Sequence, residues 1–295
     1  MIEPRSITTK KFITFMAIAF GVALIPMCSA GIMLNKGNTL LFMFLFRIVA
    51  VMIPLIAVII SGSGFKKLGF KPKRFRFVPL ALMGPQILVW IGMAIYFVFN
   101  PELFKISYDG ILTSLPAELK SSFDPSVLSP EFLFVELMVL SLTAFPISQL
   151  IPSLGEEAGW RGVMYPFLKD HLGTALGRIV GGILWGVWHW PLIFIGSYFY
   201  GNEYPGYPIL GPVMICVALT VFGIFIDHLY EKSGSILVAS LAHGAMNAAA
   251  LPLLLLPQTS SNQILGPSAF SLIPIIPVMI VGIIITVFSR RQSNK

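Results

Sequence analysis

Charged residues are scarce in this sequence. They make up 11% of its 295 residues, whereas a soluble domain usually carries about 25%. Hydrophobic residues make up 56% of the chain, and they are gathered in apolar runs that recur along its length. Runs of about 20 residues predict helices that cross a membrane. The composition therefore excludes a soluble protein with a single anchor and predicts an all-α, polytopic membrane protein.

Cysteine is also scarce. The two cysteines, Cys28 and Cys216, both lie in apolar runs, which excludes a disulfide framework or a thiolate metal site. The sequence lacks an HExxH segment, so the usual metalloprotease helix is absent. The net charge of +7 does not indicate nucleic-acid binding, because its placement fits a topology signal.

Eight apolar runs predict about eight transmembrane helices in a single membrane domain, residues 1–295. They cover residues 12–34, 39–60, 78–99, 132–156, 176–200, 209–229, 235–256 and 270–288. Pro146 and Pro152 in the fourth run predict a kinked or broken helix.

The loops between the runs differ in charge. Residues 64–77 carry six Lys and Arg and no acid, and both termini are basic, whereas residues 101–131 are net negative. Cytoplasmic loops carry an excess of Lys and Arg. We therefore predict a multi-pass protein of the cell membrane, in contact with lipid, with both termini and residues 64–77 in the cytoplasm and the acidic loop outside.

Three groups of polar residues interrupt the later runs. In the segment Gly155–Gly162, Glu157 and Arg161 are four residues apart and can pair on one helix face, while Glu156 points about 100° away. Charges inside a bilayer are costly and usually mark function. The alternative is a solvated charge cluster that ends a helix at the membrane surface.

The second and third groups contain histidines. His189 lies deep in its run beside Trp185 and Trp188, and His243 and Asn247 share one face of a later helix. These residues could belong to a functional site, but each has a structural alternative. His189 could bond to a neighbouring carbonyl, with Trp185 and Trp188 in an interfacial belt, and His243 and Asn247 could simply hold helices together.

Taken together, these side chains suffice for peptide hydrolysis. Glu156 and an imidazole can hold and deprotonate a water, and a second imidazole with a carboxamide can donate hydrogen bonds to an oxyanion. The same set could instead bind Zn²⁺ through Glu156, His189 and His243.

The three groups together resemble a known family. Glu156-Glu157-xxx-Arg161, then Trp185-xxx-His189, then His243-xxx-Asn247 are similar in order and spacing to the motifs of the CAAX-processing endopeptidase and bacteriocin-processing (Abi, CPBP) membrane proteases. The resemblance covers residues 153–247 and departs at Trp185, where Phe is frequent.

The resemblance implies a role for each motif residue. Glu156 and His189 would activate water, His243 and Asn247 would support the oxyanion, and Glu157 and Arg161 would position them. Members of the family are often labelled metalloproteases, and a metal-free glutamate mechanism is also argued for them.

The sequence thus predicts an intramembrane endopeptidase that cleaves a peptide or protein substrate near the cytoplasmic face. The alternative is a non-hydrolytic immunity factor or scaffold that retains the fold. Two further charges, Arg47 and Glu136, lie within apolar runs. We expect a structural role for them, as an ion pair between the second and fourth runs, or for Arg47 as a ligand of a lipid phosphate.

Overall fold

Helices form the framework of the computed structural model, which describes residues 7–65, 68–114, 124, 126–256 and 263–293, the side chains of residues 113, 114 and 289–293 excepted. The regular structure in these ranges is entirely helical, which confirms the all-α fold class. The helices are α1 (Thr9–Asn35), α2 (Thr39–Ile60), α3 (Phe77–Phe99), α4 (Asp109–Ser114), α5 (Pro130–Leu142), α6 (Ala144–Ser148), α7 (Leu150–Gly159), α8 (Tyr165–Leu172), α9 (Thr174–Trp188), α10 (Trp190–Gly196), α11 (Leu210–Ser233), α12 (Ile236–Ala248) and α13 (Leu272–Ser293).

Most of the predicted spans are present as long apolar helices. Within the described ranges, six stretches are long and apolar enough to cross a membrane: Thr9–Asn35, Thr39–Ile60, Phe77–Phe99, Thr174–Gly196, Leu210–Ser233 and Ile236–Leu255. The apolar part of α13, Leu272–Phe288, is shorter. A multi-pass membrane protein is confirmed, whereas the orientation of the termini stays a prediction.

The fourth predicted run is three helices, α5, α6 and α7, instead of one continuous span. Its two prolines account for both interruptions, because proline has no N–H for the bond to the carbonyl four residues earlier. Pro146 cannot bond to Leu142, where α5 ends, and Pro152 cannot bond to Ser148, where α6 ends. The prediction of a broken helix is confirmed.

Glycines allow the helices of the site to pack closely. A Cβ at Gly186 of α9 would lie 2.5 Å from Cα of Cys216 in α11, and a Cβ at Gly182 would overlap Thr220. Gly155 and Gly159 of α7 lie in the same way against α2. Helix α7 also packs against α12. These crossings bring the three sequence motifs together.

Three stretches within the described residues are wound as π-helix. They are Ala17–Val22 in α1, Leu45–Val49 in α2, and Trp160–Met164, which continues α7. Such wide turns occur frequently at functional sites. Two of them carry the arginines nearest the site, Arg47 and Arg161.

A cluster of charges joins α8, α9 and α11. Lys169 Nζ lies 2.8 Å from Asp227 Oδ1, and Arg178 Nε lies 2.6 Å from Asp227 Oδ2. Glu231 pairs with both cations. Asp227 and Arg178 are buried, whereas Glu231 is exposed, so the cluster ties three helices together from the interior of the bundle to its surface. Sequence reasoning did not find it, because each ion pair joins residues that are 49 to 62 positions apart along the chain.

Candidate active site

Four of the residues singled out in the sequence line one cavity of about 310 Å³: Glu156, His189, His243 and Asn247. They come from α7, from the junction of α9 and α10, and from α12. The walls are otherwise mostly aromatic and apolar, including Phe46, Phe145, Phe199 and Phe270. The structure therefore brings the three motifs to one place.

Glu156 is held by two indoles. Nε1 of Trp160 and Nε1 of Trp185 both donate to its Oε2, at 3.1 Å and 2.8 Å. Oε1 receives no hydrogen bond from the described part of the chain and remains available to a water. The carboxylate is thus fixed in orientation while one oxygen is left for chemistry. A phenylalanine at the place of Trp185 could not donate this bond.

His189 is oriented through the backbone. Its Nδ1 donates to the carbonyl of Trp185 at 3.0 Å, so a neutral ring carries its lone pair on Nε2. Phe46, Trp188 and Phe199 surround the ring edge-to-face, with centroids 6.1, 5.0 and 5.7 Å away. The carbonyl bond considered as an alternative is present, and it leaves Nε2 able to accept a proton.

Glu157 and Arg161 form the expected pair. Nη1 of Arg161 lies 2.9 Å from Oε1 of Glu157, and both side chains are fully buried. The guanidinium lies between the rings of Tyr165 and Trp185, 4.6 and 4.7 Å from their centroids, and Nη2 donates to the carbonyl of Gly223. This burial is incompatible with a solvated charge cluster at a membrane surface.

The same carboxylate oxygen also holds His243. Nδ1 of His243 lies 2.9 Å from Oε1 of Glu157. An ionised carboxylate only accepts hydrogen bonds, so Nδ1 carries the proton. It follows that His243 can donate from Nε2 only as an imidazolium. Glu157 supplies the negative charge that stabilises such a cation, and Arg161 compensates part of it.

Asn247 lies one turn after His243 and is half-buried at the cavity wall. Within the described ranges, its carboxamide makes no hydrogen bond to another residue. If Asn247 served only to hold helices together, its carboxamide would bond to a residue of another helix. The free carboxamide therefore favours hydrogen bonding to a molecule bound in the cavity.

A zinc site needs three or four protein ligands arranged around one point. No three His, Cys, Asp or Glu side chains form such a group within the described residues. The donor atoms of Glu156, His189 and His243 border the same cavity, but they do not assemble into a ready ligand set. Zinc binding stays a prediction, to be tested with a chelator.

Arg47 and Phe199 also line the cavity, and sequence reasoning did not assign either of them to the site. Nη2 of Arg47 donates to Oε1 of Gln149 at 2.8 Å.

Glu136 is exposed on α5, and no ion pair joins it to Arg47, so the expected pairing of the two was wrong. The position of Arg47 inside an apolar run marked it as unusual in the sequence, but we expected a structural role for it.

Phe199 lines both the main cavity and a second one of about 180 Å³, as do Ala250 and Ser268. Its backbone has φ 74°, a conformation that bulky residues rarely adopt and that is often found at functional sites. Nothing in the sequence around Phe199 signals this conformation.

The part of the chain that carries the three motifs is similar to known proteins. Residues 138–249 match the family model of Rce1-like proteins, described as type II CAAX prenyl endopeptidases. The resemblance to the CAAX endopeptidase family is confirmed. A 99-residue stretch is 30% identical to CAAX prenyl protease 2 of Methanococcus maripaludis. This match covers 33% of the chain and 36% of that relative, so the chain spans about a third of the length of the curated protein it matches.

Proposed function

We propose that this protein is a CAAX-type intramembrane endopeptidase that hydrolyses a peptide bond of a membrane-associated or lipid-modified substrate near the cytoplasmic face. One observation carries the proposal: a carboxylate, two imidazoles and a carboxamide, which three separate parts of the chain supply, line a single cavity. The Rce1-like family match over residues 138–249 supports the same reaction class.

In this proposal a water lies between Oε1 of Glu156 and Nε2 of His189. Both atoms are hydrogen-bond acceptors, so each can hold one hydrogen of the water. As the oxygen attacks the peptide carbonyl, Glu156 accepts one proton and His189 keeps the other hydrogen in a hydrogen bond. The indole bonds to Oε2 hold Glu156 in place during the attack. The proton then passes to the amine of the departing peptide.

The tetrahedral intermediate carries a negative charge on the former carbonyl oxygen. Asn247 would donate to it from its carboxamide, and His243 would donate from Nε2 as an imidazolium paired with Glu157. Glu157 and Arg161 do not line the cavity and act here as positioning residues. Their contribution is to hold His243 and to balance its charge.

Cleavage of a peptide library by the purified protein in lipid nanodiscs tests the proposal. Glu156→Gln keeps the shape of the side chain and removes the base, so turnover should fall roughly 10²–10⁴-fold. Glu136→Gln is a matched control, because Glu136 is exposed and does not line the cavity. Mass spectrometry of the products identifies the bond that is cut.

Each arm of this experiment has a distinct meaning. Wild-type protein that binds peptides without cutting them would favour the non-hydrolytic scaffold. Equal turnover by the wild type and Glu156→Gln would remove Glu156 from its proposed role. Loss of activity with a chelator, and its return with Zn²⁺, would support the metal hypothesis.

A further inference from the structure

The basic loop between α2 and α3, residues 64–77, gathers positive charge at one end of the bundle and contains no acid. Its described cations are all exposed: Lys71, Lys73, Arg74 and Arg76. Lys11 of α1 lies beside them, because its Nζ donates to the carbonyl of Gly62 at 2.9 Å. No ion pair joins any of these cations to an acid of the described residues. They are therefore available to a negative surface outside the protein.

The acids at this end of the bundle do not offset the basic loop. Asp227 and Glu231 are both paired with Lys169 and Arg178, so that cluster is neutral as a whole. Asp170 is exposed near the end of α8 and adds a single negative charge. The exposed cations therefore outnumber it.

Phe75 stands between Arg74 and Arg76 with 74% of its surface exposed. Helix α3, which is long and apolar enough to cross a membrane, begins two residues later. The basic loop therefore lies at the level of the lipid headgroups, where Lys and Arg are attracted to anionic lipids and an apolar ring is removed from water. An acidic protein segment would match the charges but would not account for the exposed ring at the start of a span.

The basic loop is fixed to the turn between α11 and α12. The N–H of Lys73 donates to the carbonyl of Ser233 at 2.8 Å, and the N–H of Ile236 donates to the carbonyl of Gly69 at 2.7 Å. Ile236 is the first residue of α12, and His243 follows about two turns later on the same helix. Contacts that hold the loop in place therefore also hold the start of α12.

We infer that the basic loop and Phe75 bind anionic lipid headgroups, and that this contact steadies α12 and so supports turnover at His243. The lipid contact stands independently of the proposed function. Its effect on turnover rests on that function and adds a dependence on the charge of the bilayer.

Titration of the full chain in neutral detergent with phosphatidylglycerol or phosphatidylcholine tests the contact, with melting temperature as the signal. Phosphatidylglycerol should raise the melting temperature, and phosphatidylcholine should not. The double variant Lys71→Gln, Arg74→Gln should melt like the wild type without lipid. Its apparent affinity for phosphatidylglycerol should be lower by roughly fivefold for each cation removed.

Lys36→Gln with Lys105→Gln is the charge-matched control. Both lysines are exposed, and they follow the far ends of α1 and α3. This variant should keep the affinity of the wild type for phosphatidylglycerol. Phe75→Ser should weaken binding with every cation in place, which a purely electrostatic contact would not allow.

Turnover of an uncharged peptide in nanodiscs tests the coupling to α12. The wild type and the Lys36, Lys105 control should turn over several-fold faster in phosphatidylglycerol than in phosphatidylcholine. The Lys71, Arg74 variant should lose most of this difference. An uncharged peptide is used so that the lipid does not change its concentration at the bilayer.

Distinct results would overturn each part of the inference. Equal responses to the two lipids, or equal losses in the two double variants, would contradict the lipid contact. Stronger stabilisation by a poly-glutamate peptide than by phosphatidylglycerol would assign the surface to a protein partner instead. Specific lipid binding with equal turnover in both nanodiscs would contradict the coupling to α12. Absence of turnover in every bilayer would contradict the proposed function, while the melting titration would still decide the lipid contact.

Discussion

Trp185 connects two motifs at the scale of single residues. Its indole N–H holds Glu156, its ring covers Arg161, and its carbonyl holds His189. Trp185→Phe keeps an aromatic ring in place and removes only the indole bond. We expect kcat to fall about tenfold or more, because Glu156 then loses one of its two hydrogen-bond donors.

Trp188→Phe is the matched control. The indole of Trp188 donates to the carbonyl of Ala19 and makes no bond to Glu156. Its kcat should stay close to that of the wild type even if its melting temperature falls. Equal kcat for Trp185→Phe and wild type would show that Trp160 alone suffices to orient the carboxylate.

Asn247 gives a second prediction at this scale. Asn247→Ala should lower kcat about 10²–10³-fold, as loss of a single oxyanion donor does, with little change in KM. The melting temperature should not change, because no described residue bonds to the carboxamide. A lower melting temperature together with normal kcat would make Asn247 a packing residue.

Arg161 is expected to matter for stability as well as for activity. Arg161→Ala leaves the carboxylate of Glu157 buried without its cation, which costs about 3–5 kcal/mol in comparable pairs. Thermal unfolding in detergent measures the effect. Arg74→Ala is the control, since Arg74 is exposed. Melting temperatures that fall equally in the two variants would contradict the role of the buried pair.

Spacing in the sequence predicts contacts within one helix and misses contacts between helices. Glu157 and Arg161 are four residues apart, so their pairing follows from helix geometry alone. The bond from Trp185 to Glu156 joins residues 29 positions apart, and the one from His243 to Glu157 joins residues 86 apart. Both depend on how the helices cross, which local sequence pattern does not specify.

At the scale of helices, the crossing of α9 and α11 determines where His189 lies. Gly186→Ala would place a methyl group against the backbone of Cys216 and force the helices apart, at a cost of about 1–3 kcal/mol. Because Trp185 and His189 flank this glycine, turnover should fall together with melting temperature. Gly21→Ala is the control, since nothing lies within 4 Å of a Cβ at Gly21. Normal turnover in Gly186→Ala would show that the crossing is adjustable.

The interruptions of the helices were only partly predictable. The two prolines of the fourth run indicate breaks, because a missing N–H removes a specific backbone bond. The π-helical stretches have no such signal, since Leu45–Val49 and Trp160–Met164 contain no proline. The position of Arg47 on one of them could therefore not be predicted from the sequence.

Orientation in the membrane belongs to the scale of the whole molecule. With Cys28 and Cys216 replaced by serine, single cysteines are introduced at Lys71 and at Asp124, both of which are exposed. A membrane-impermeant maleimide should label Asp124→Cys in intact cells and should label Lys71→Cys only after permeabilisation. The opposite pattern would reverse the predicted topology.

The general architecture was predictable because the bilayer requires spans of a certain length with few charges, and both features can be read from the sequence. The cluster around Asp227 was not, since residues of α8, α9 and α11 meet only in the folded bundle. Residues 115–123 of the acidic loop and Lys66 and Lys67 of the basic loop lie outside the described residues, so predictions that rest on them stay predictions.

The tryptophans around the site also have an optical consequence. Of the five tryptophans in the chain, Trp160, Trp185 and Trp188 are buried beside Glu156 or His189. Trp160 lies 5.7 Å from Trp188, and Trp185 lies 5.1 Å from His243, measured between ring centroids. Indole fluorescence responds to hydrogen bonding and to nearby charge, and two of these indoles bond to Glu156, so the emission should change when a molecule enters the cavity. Substrate entry can therefore be followed in real time without any attached label.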